Sequence, residues 1–307
     1  MTAPSSAVAK AVRHARTSVL DIAYEESGPA DGTPVFLMHG FPDDVRTWDG
    51  VAAPLVAKGC RVIVPYLRGY GPTRFLSANT MRSGQQGAIG SDLKELMDAL
   101  NIERAVLGGY DWGGRAACIV AALWPERVRG LVSIGGYNIQ NIAKNVKPEK
   151  ADYEWRYWYQ WYFNTARGVA GLEANRHDIC RLLWKMWSPN WSFDDATYDA
   201  TGVAFDNPDY VDIVIHSYRH RYQAAPNDPA YEEIERRLAL RPKIAAPTVV
   251  LHGGADGVDL PELSEHDAPQ FTGSNRREVV PVAGHFFPRE APQKVADAVL
   301  ELIAQTK

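Results

Sequence analysis

The sequence predicts an α/β fold, a mostly parallel sheet with helices on both faces and a helical insertion between core strands. Short apolar runs bounded by turn residues alternate with amphipathic helical stretches up to about residue 137, and the alternation resumes at about residue 243. Between these limits the strand pattern stops and helical segments rich in aromatic residues replace it. Ligands of such sheets bind at the carboxyl ends of the strands, so an insertion there would roof the site.

The first half of the chain supplies the early strands. Residues 18–24 alternate in polarity and predict a first strand, whereas the Ala/Ser-rich residues 1 to about 15 predict a loose leader. Apolar runs at 34–38, 61–66 and 105–107 predict buried strands, and the apolar spacing of 90–100 predicts a surface helix.

The second half returns to the same pattern after the insertion. Strands are predicted at 128–135, 247–252 and 277–281, followed by a last helix at 293–304. We therefore expect an α/β core formed by 1–137 and 243–307 and a helical cap, or lid, formed by 138–242.

Composition excludes several classes of function. The 307 residues, 46% of them hydrophobic, suffice for one large domain with an insertion, and the net charge of -4 gives no attraction to nucleic acid or to an acidic membrane surface. The three cysteines lie far apart without CxxC spacing, which indicates reduced thiols. No apolar span of 18 residues and no secretory leader occurs, so we expect a soluble, cytoplasmic protein.

The spacing Gly109-x-Asp111-x-Gly113 between a buried strand and a helix is typical of a nucleophile elbow. Small flanking residues let such a turn hold one side chain in a strained, exposed position. The alternative is an aspartate that only caps the following helix.

A carboxylate at the elbow has specific chemical consequences. A serine that displaced a leaving group from a saturated carbon would become an ether, which activated water does not cleave at a useful rate. An aspartate becomes an ester that can be hydrolysed at its own carbonyl carbon. Asp111 therefore predicts nucleophilic substitution at an sp3 carbon through a covalent alkyl-enzyme intermediate.

Hydrolysis of that ester requires a base and an acid that orients it. His285 follows the last predicted strand, and Asp256 follows the strand before it, so both side chains belong to the same edge of the sheet. The chain order of nucleophile, acid and histidine is that of hydrolase sheets of this kind. Asp259 is the competing acid, and Asp256 is preferred because it follows its strand more closely.

An oxyanion would form at the aspartyl carbonyl and would need two backbone donors. The amide of Trp112, the residue after the nucleophile, is expected to supply one, and Phe41 in the loop after the strand 34–38 the other. Asp43 and Asp44 are expected only at a helix start. His216 and His220 have the spacing of a helical metal pair, but no third ligand is evident and no metal site is predicted.

Four motifs resemble those of the α/β-hydrolase fold epoxide hydrolases, whose close relatives are the haloalkane and haloacetate dehalogenases. They are 39–42 (HGFP), 68–73 (RGYGPT), 109–114 (GYDWGG) and 284–286 (GHF). The resemblance covers roughly 20–137 and 243–305 and weakens through the cap. It implies an enzyme without cofactor that opens an epoxide to a vicinal diol. The implied partners are the small-molecule epoxide and water, with a homodimer left open.

In that family two cap tyrosines hold and protonate the epoxide oxygen. The local motifs implicate Tyr159 and Tyr218, with Tyr153 and Tyr162 as substitutes. A buried phenol can donate a hydrogen bond as charge grows on the leaving oxygen. The residues expected to bind substrate are His39, Pro42, Trp158 and Tyr162.

Two other functions stay open. A dehalogenase would use the same Asp111, but haloacetate dehalogenases carry an arginine after the nucleophile, where this chain has Trp112. Arg115, one helical turn further on, keeps that alternative open. A ligand-binding protein of the same fold without turnover would not need the nucleophile, base and acid together. The aromatic cap predicts an apolar epoxide, whereas its arginines, Arg156, Arg219 and Arg221, would suit a polar group.

Overall fold

A computed structural model describes residues 11–306, and within them nine strands form one sheet. The strand order is β1-β2-β4-β3-β6-β7-β8-β9, with the short β5 paired to β2. Pairing from β4 through β9 is parallel, and the pairs that involve β2 are antiparallel, which confirms the predicted mostly parallel sheet. The strands are β1 (Val12–Arg16), β2 (Leu20–Ser27), β3 (Thr33–Met38), β4 (Cys60–Pro65), β5 (Arg74–Phe75), β6 (Ala105–Tyr110), β7 (Val128–Ile134), β8 (Thr248–Gly253) and β9 (Asn275–Val280).

The predicted loose leader is wrong where the structure describes it, because residues 12–15 belong to β1. The rest of that prediction, residues 1–10, lies outside the described residues. β1 runs antiparallel to β2 at the edge of the sheet, and only Ala15 in it is buried. An edge strand that is exposed on both faces has no alternation of polarity for the sequence to reveal.

Two pairs of helices cover the sheet. α1 packs against α11 and α2 against α3, and α3 and α11 both contact β6 and β7. β6 and β8 are buried along their whole length, as expected for central strands covered on both faces. These helices are α1 (Asp49–Ala57), α2 (Gln86–Ala99), α3 (Asp111–Leu123) and α11 (Pro292–Gln305), with the short α10 (Phe287–Glu290) preceding α11.

Between β7 and β8, the chain forms helices and no strand, as its aromatic-rich sequence predicts. We call the residues between these two strands the helical segment. Its α-helices are α4 (Ala151–Arg156), α5 (Trp158–Phe163), α6 (Ala166–Trp187), α7 (Asp195–Gly202), α8 (Tyr210–Arg221) and α9 (Glu232–Ala239). None of the helices in residues 11–306 is long and apolar enough to cross a membrane.

Candidate active site

Asp111 occupies a sharp turn between β6 and α3. Its backbone has φ +50°, a left-handed conformation that is unfavourable for a residue with a side chain. The flanking residues must be glycines, because the backbone around the turn leaves no room for a Cβ atom. A Cβ on Gly109 would lie 2.4 Å from the carbonyl oxygen of Gly113, and one on Gly113 would lie 2.1 Å from that of Met38. The turn therefore projects the Asp111 carboxylate away from the strand, at the carboxyl edge of the sheet.

The two oxygens of Asp111 have different surroundings. Oδ1 accepts a hydrogen bond from the backbone N–H of Phe41 at 2.7 Å, whereas Oδ2 lies 3.9 Å from Nε2 of His285. A Cβ on Gly40 would lie 2.5 Å from the Cβ of Asp111. Glycine at this position therefore lets the loop after β3 lie against Asp111. Trp112 is in the first turn of α3, where the N–H groups have no acceptor within the helix.

The loops after β8 and β9 bring Asp256 and His285 together. Nδ1 of His285 is 2.9 Å from Oδ2 of Asp256, and Oδ1 of Asp256 accepts from the N–H groups of Val258 and Asp259, each at 2.9 Å. The other ring nitrogen, Nε2, is buried and has no hydrogen-bond partner within residues 11–306. It faces the Asp111 carboxylate, so the three side chains form a linear arrangement of acid, imidazole and carboxylate.

This arrangement changes the pKa of His285. Burial acts to lower the pKa, but the charge of Asp256, its hydrogen bond and the nearby Asp111 outweigh burial and raise it to about 9. The imidazole is therefore protonated at neutral pH.

Asp259, the competing acid, has a different position. Its Oδ1 accepts from the hydroxyl of Tyr157 at 3.1 Å, and its carboxyl group lines the cavity beside Asp111. Burial and the charge of Asp256 raise its pKa. Asp256 is therefore the acid that contacts His285.

Tyr159 on α5 and Tyr218 on α8 meet above Asp111. Their ring centroids are 5.2 Å apart with the planes at 86°, and both rings pack on Phe41. The hydroxyl of Tyr159 accepts from Nε2 of Gln160 at 2.8 Å. The hydroxyl of Tyr218 is buried without a hydrogen-bond partner among the described residues, so its O–H remains available to donate.

A cavity of about 300 Å³ opens beside Asp111 and contains Tyr159 in its wall. Sequence reasoning singled out Asp259, Arg115 and Arg221 but could not bring them together, and it missed Gln140, Tyr157 and Gln160, because the polar lining lies on segments that meet only in the folded chain. This lining includes Arg115, Gln140, Tyr157, Gln160, Arg221 and Asp259. Arg115 therefore reaches the cavity, a point that its sequence position left open.

The four expected substrate-binding residues do not line this cavity as the described chain is folded. His39 is buried, with Nε2 accepting from the N–H of Leu67 at 3.1 Å and Nδ1 3.1 Å from the carbonyl oxygen of Gly40. The carbonyl oxygen of Pro42 accepts from the Trp184 indole. Trp158 and Tyr162 pack on each other. Of the possible substitutes for the paired tyrosines, Tyr153 lies in the cavity wall.

His216 and His220 stack at 5.7 Å on α8 and have partners within the protein. Nδ1 of His216 accepts from the N–H of Gly84, and Nε2 of His220 is 2.8 Å from Oδ1 of Asn227. No cluster of three or more metal-ligating side chains occurs in the part of the chain that the structure describes.

Residues 33–292 match the family described as alpha/beta hydrolase fold. That match covers most of the chain, and the fold and elbow described above agree with it. The chain belongs to the alpha/beta hydrolase fold family.

Among the proteins that this chain resembles, several are named epoxide hydrolases. A crystal structure from Klebsiella pneumoniae, provisionally assigned as an epoxide hydrolase, is 46% identical with a TM-score of 0.93 over 95% of this chain and 96% of that one. Epoxide hydrolase 3 of Siraitia grosvenorii is 31% identical over 44% of this chain and only 41% of its own length. Epoxide hydrolase A of Mycobacterium tuberculosis is 24% identical over 91% of this chain and 92% of its own length.

Proposed function

We propose that this protein is an epoxide hydrolase that forms a covalent ester on Asp111 and hydrolyses it to a vicinal diol. The observation that carries the proposal is the pair Tyr159 and Tyr218 above the carboxylate, because an epoxide leaves as an alkoxide and needs a proton donor whereas a halide does not. The similarity to epoxide hydrolases supports the same activity. Within this proposal, residues 138–242 act as the cap on a core formed by 1–137 and 243–307.

In the first step, Oδ2 of Asp111 attacks a ring carbon and the C–O bond of the epoxide breaks. Oδ2 is the attacking atom because Oδ1 is already held by the Phe41 N–H. The leaving oxygen takes a proton from the paired tyrosines. Burial raises the pKa of Tyr159 and of Tyr218, so both phenols are present as donors throughout the working pH range.

In the second step, His285 takes a proton from a water that attacks the ester carbonyl carbon. The pKa of His285 is raised partly by Asp111, whose negative charge disappears when the ester forms. Alkylation therefore lowers the pKa of the imidazolium, which gives its proton to the tyrosinate left by the first step, and the neutral imidazole can then act as a base. Oδ1 becomes the oxyanion, and the amides of Phe41 and Trp112 stabilise it. Collapse of this intermediate breaks the C–O bond to the diol, whose leaving oxygen takes the proton from the His285 imidazolium. The resulting aspartic acid returns its proton to His285, which restores the carboxylate.

We also place the enzyme in the cytoplasm, a proposal supported by three free, buried cysteines at positions 60, 118 and 180. Detection of the protein in cell fractions with a specific antibody tests the location, and we expect it in the cytoplasmic fraction.

The activity is tested with a panel of neutral and charged epoxides and of haloalkanes and haloacetates, with diol and halide measured separately. We expect the wild type to release diol through many turnovers and Asp111→Asn to release none. Halide release without diol from any epoxide would identify a dehalogenase instead. At most one product per chain would identify a protein that traps its ligand.

A further inference from the structure

Three arginines, Arg115, Arg221 and Arg241, line the proposed active-site cavity without a carboxylate partner. Arg241 donates to the carbonyl oxygen of Ile139 and packs on the Tyr137 ring, whereas Arg115 and Arg221 share one neutral partner, Gln140. Arg115, on α3, is 6% exposed, and Arg221 is the last residue of α8. Within residues 11–306, no carboxylate oxygen lies within 4 Å of either guanidinium. Arginine is rarely buried unless it is paired, because its charge must be removed from water.

Other buried arginines of this protein follow that rule. Nε and Nη2 of Arg68 each donate to the carboxylate of Asp92 at 2.6 Å. Arg289 donates through Nε to Asp43 at 3.0 Å. Arg115 is comparably buried but has no such partner, and the half-buried Arg221 has none either.

The existing contacts of the two arginines fix their positions but leave their charge uncompensated. With the amide of Gln140 oriented to satisfy both, its Oε1 accepts from Nε and Nη2 of Arg221 at 2.7 and 2.8 Å and from Nη2 of Arg115 at 3.1 Å. Nη1 of Arg221 donates to Oε1 of Gln160 at 3.0 Å. These partners are neutral amides. Nε of Arg115 is buried without any acceptor among the described residues.

The two cations also destabilise each other. Burial, followed by the charge of Arg221, lowers the pKa of Arg115 to about 10, so both side chains remain charged at neutral pH. Asp259 lines the same cavity, but its carboxyl group lies beyond ion-pair distance of both arginines and binds Tyr157. An anion that enters the cavity would relieve this repulsion and fill the free donor.

We propose that Arg115 and Arg221 form an anion subsite that selects epoxides carrying a carboxylate close to the ring. This inference rests on the proposed function, because it places the carboxylate relative to the attack by Asp111. Arg115 is four residues from Asp111, which corresponds to about 6 Å along a helix. The cavity of about 300 Å³ suits a small molecule. A short 2,3-epoxy acid therefore places its ring at Asp111 and its carboxylate at the two guanidiniums.

A substrate carboxylate bound in this way contributes to positioning as well as affinity. Guanidinium groups bind carboxylates through charge-assisted hydrogen bonds that fix orientation. Gln160 connects Arg221 to the hydroxyl of Tyr159 through its two amide atoms, Oε1 and Nε2. The subsite and the proposed proton donor are thereby held by one side chain.

The test compares oxirane-2-carboxylate with its neutral isostere oxirane-2-carboxamide. We expect the wild-type kcat/KM for the acid to exceed that for the amide by at least about tenfold. Arg115→Gln and Arg221→Gln should each lower the ratio of kcat/KM for the acid to kcat/KM for the amide by at least about tenfold, mainly through KM for the acid. Arg115→Lys should recover part of the loss because it keeps the charge. Lys185→Gln, an exposed change on α6 with the same effect on net charge, is the matched control.

A binding measurement separates the subsite from turnover and from folding. Calorimetric titration of propanoate into wild type and Arg115→Gln should show binding that the variant loses, while circular dichroism spectra of the two remain the same. Equal kcat/KM for acid and amide, or equal losses for both in the arginine variants, would overturn the subsite and leave the epoxide hydrolase proposal intact. Chloroacetate dechlorination that depends on Arg115, with no diol from any epoxide, would retain the subsite and reject the proposed function.

Discussion

In the proposed mechanism, the charge of Asp111 controls the pKa of His285, the base that activates the water attacking the ester. His285 is buried between two carboxylates, and both help to raise its pKa to about 9. When one of these carboxylates becomes an ester, the imidazole loses a stabilising charge. In the proposed mechanism, the same histidine thus stabilises the resting nucleophile and becomes a base only after the first step.

Replacing His285 with Gln should separate the two steps. Alkylation of Asp111 needs no base, but hydrolysis of the ester does, so we expect epoxide consumption to stop after one equivalent per chain. Diol release should fall by about 10³-fold or more. Mass spectrometry of the intact protein should show an increase equal to the mass of the epoxide. Asp111→Asn should show no increase. Steady diol release from His285→Gln at a rate near that of wild type would reject the assigned base.

The raised pKa of His285 also predicts how stability depends on pH. The folded pKa of about 9 exceeds the ordinary value of 6.5, so the folded state binds the proton more tightly than the unfolded state. The stabilisation is complete below pH 6.5 and is lost as pH rises to about 9. Urea unfolding at both pH values should show a fall in the free energy of unfolding that is larger in wild type than in His285→Gln, by on the order of 3 kcal/mol. Equal falls would contradict the raised pKa.

At the scale of single residues, the sequence was informative where chemistry requires a fixed spacing. The order of Asp111, Asp256 and His285 along the chain predicted side chains that the structure brings into contact, and their catalytic roles stay a proposal. Arg221 could not be assigned in the same way, because its contact with Gln140 joins residues far apart in sequence. No local pattern distinguishes an arginine in a cavity wall without a carboxylate from a solvated one.

The loops around the site are linked by a buried ion pair between elements. Arg289 on α10 donates to Asp43 in the loop after β3, and the hydroxyl of Tyr110 donates to the same carboxylate at 2.6 Å. This loop also carries Phe41, and α10 follows His285. The ion pair therefore fixes the position of Phe41, the proposed oxyanion donor, relative to His285.

Breaking this ion pair should be costly. Arg289→Met leaves Asp43 buried with an uncompensated charge, so we expect the free energy of unfolding to fall by about 3–5 kcal/mol in chemical denaturation. Arg276→Met is the control, since Arg276 on β9 is exposed and its ion pairs should contribute less than about 1 kcal/mol. Similar losses in the two variants would show that the buried pair has no special role. The added change Asp43→Asn should restore part of the stability of Arg289→Met.

Strands and helices were predictable from the sequence when one hydrophobic pattern ran through the whole element. β6 and β8 are buried throughout and mostly apolar, and the helix after β9 places an apolar residue on one face at each turn. β1 was missed because it is exposed. The prediction for Asp43 and Asp44 was incomplete: Asp44 caps the turn that starts at Val45, but both side chains are buried. A helix-start pattern gives no information on a partner 246 residues away.

At the scale of the whole molecule, the helical segment is tied to the core by buried polar contacts as well as by aromatic packing. The indole of Trp184 donates to the carbonyl oxygen of Pro42 at 2.7 Å, and the hydroxyl of Thr201 donates to Asp44 at 2.9 Å. Trp187 packs on His285 at 5.0 Å. The segment therefore completes the buried surroundings of the site.

These contacts predict that core and helical segment unfold together. Of the nine tryptophans, those in the helical segment are Trp155, Trp158, Trp161, Trp184, Trp187 and Trp191, so fluorescence reports mainly on that segment. The transition measured by fluorescence in urea should coincide with that measured by far-UV circular dichroism, which reports on all helices and strands. A fluorescence transition at clearly lower urea concentration would show that the segment unfolds independently.

The overall α/β-hydrolase architecture was predictable because strand and helix periods are local. The shape and charge of the cavity were not, since its wall is assembled from α3, the start of the helical segment, α5, α8 and the loop after β8. The crowding of aromatic residues in the segment favoured an apolar pocket. Packing instead uses many of those rings to fill the core and leaves arginines and carboxyl groups at the cavity wall.

The most direct test of the covalent mechanism is a single turnover in water enriched in ¹⁸O, with enzyme in excess over epoxide. If Asp111 forms the ester and water attacks its carbonyl carbon, the label enters the Asp111 carboxylate and the first diol released is unlabelled. Mass spectrometry of the peptide that contains Asp111 should then show the heavy oxygen. Label in the diol and none in Asp111 would mean that water attacks the epoxide directly, which would contradict the proposed mechanism.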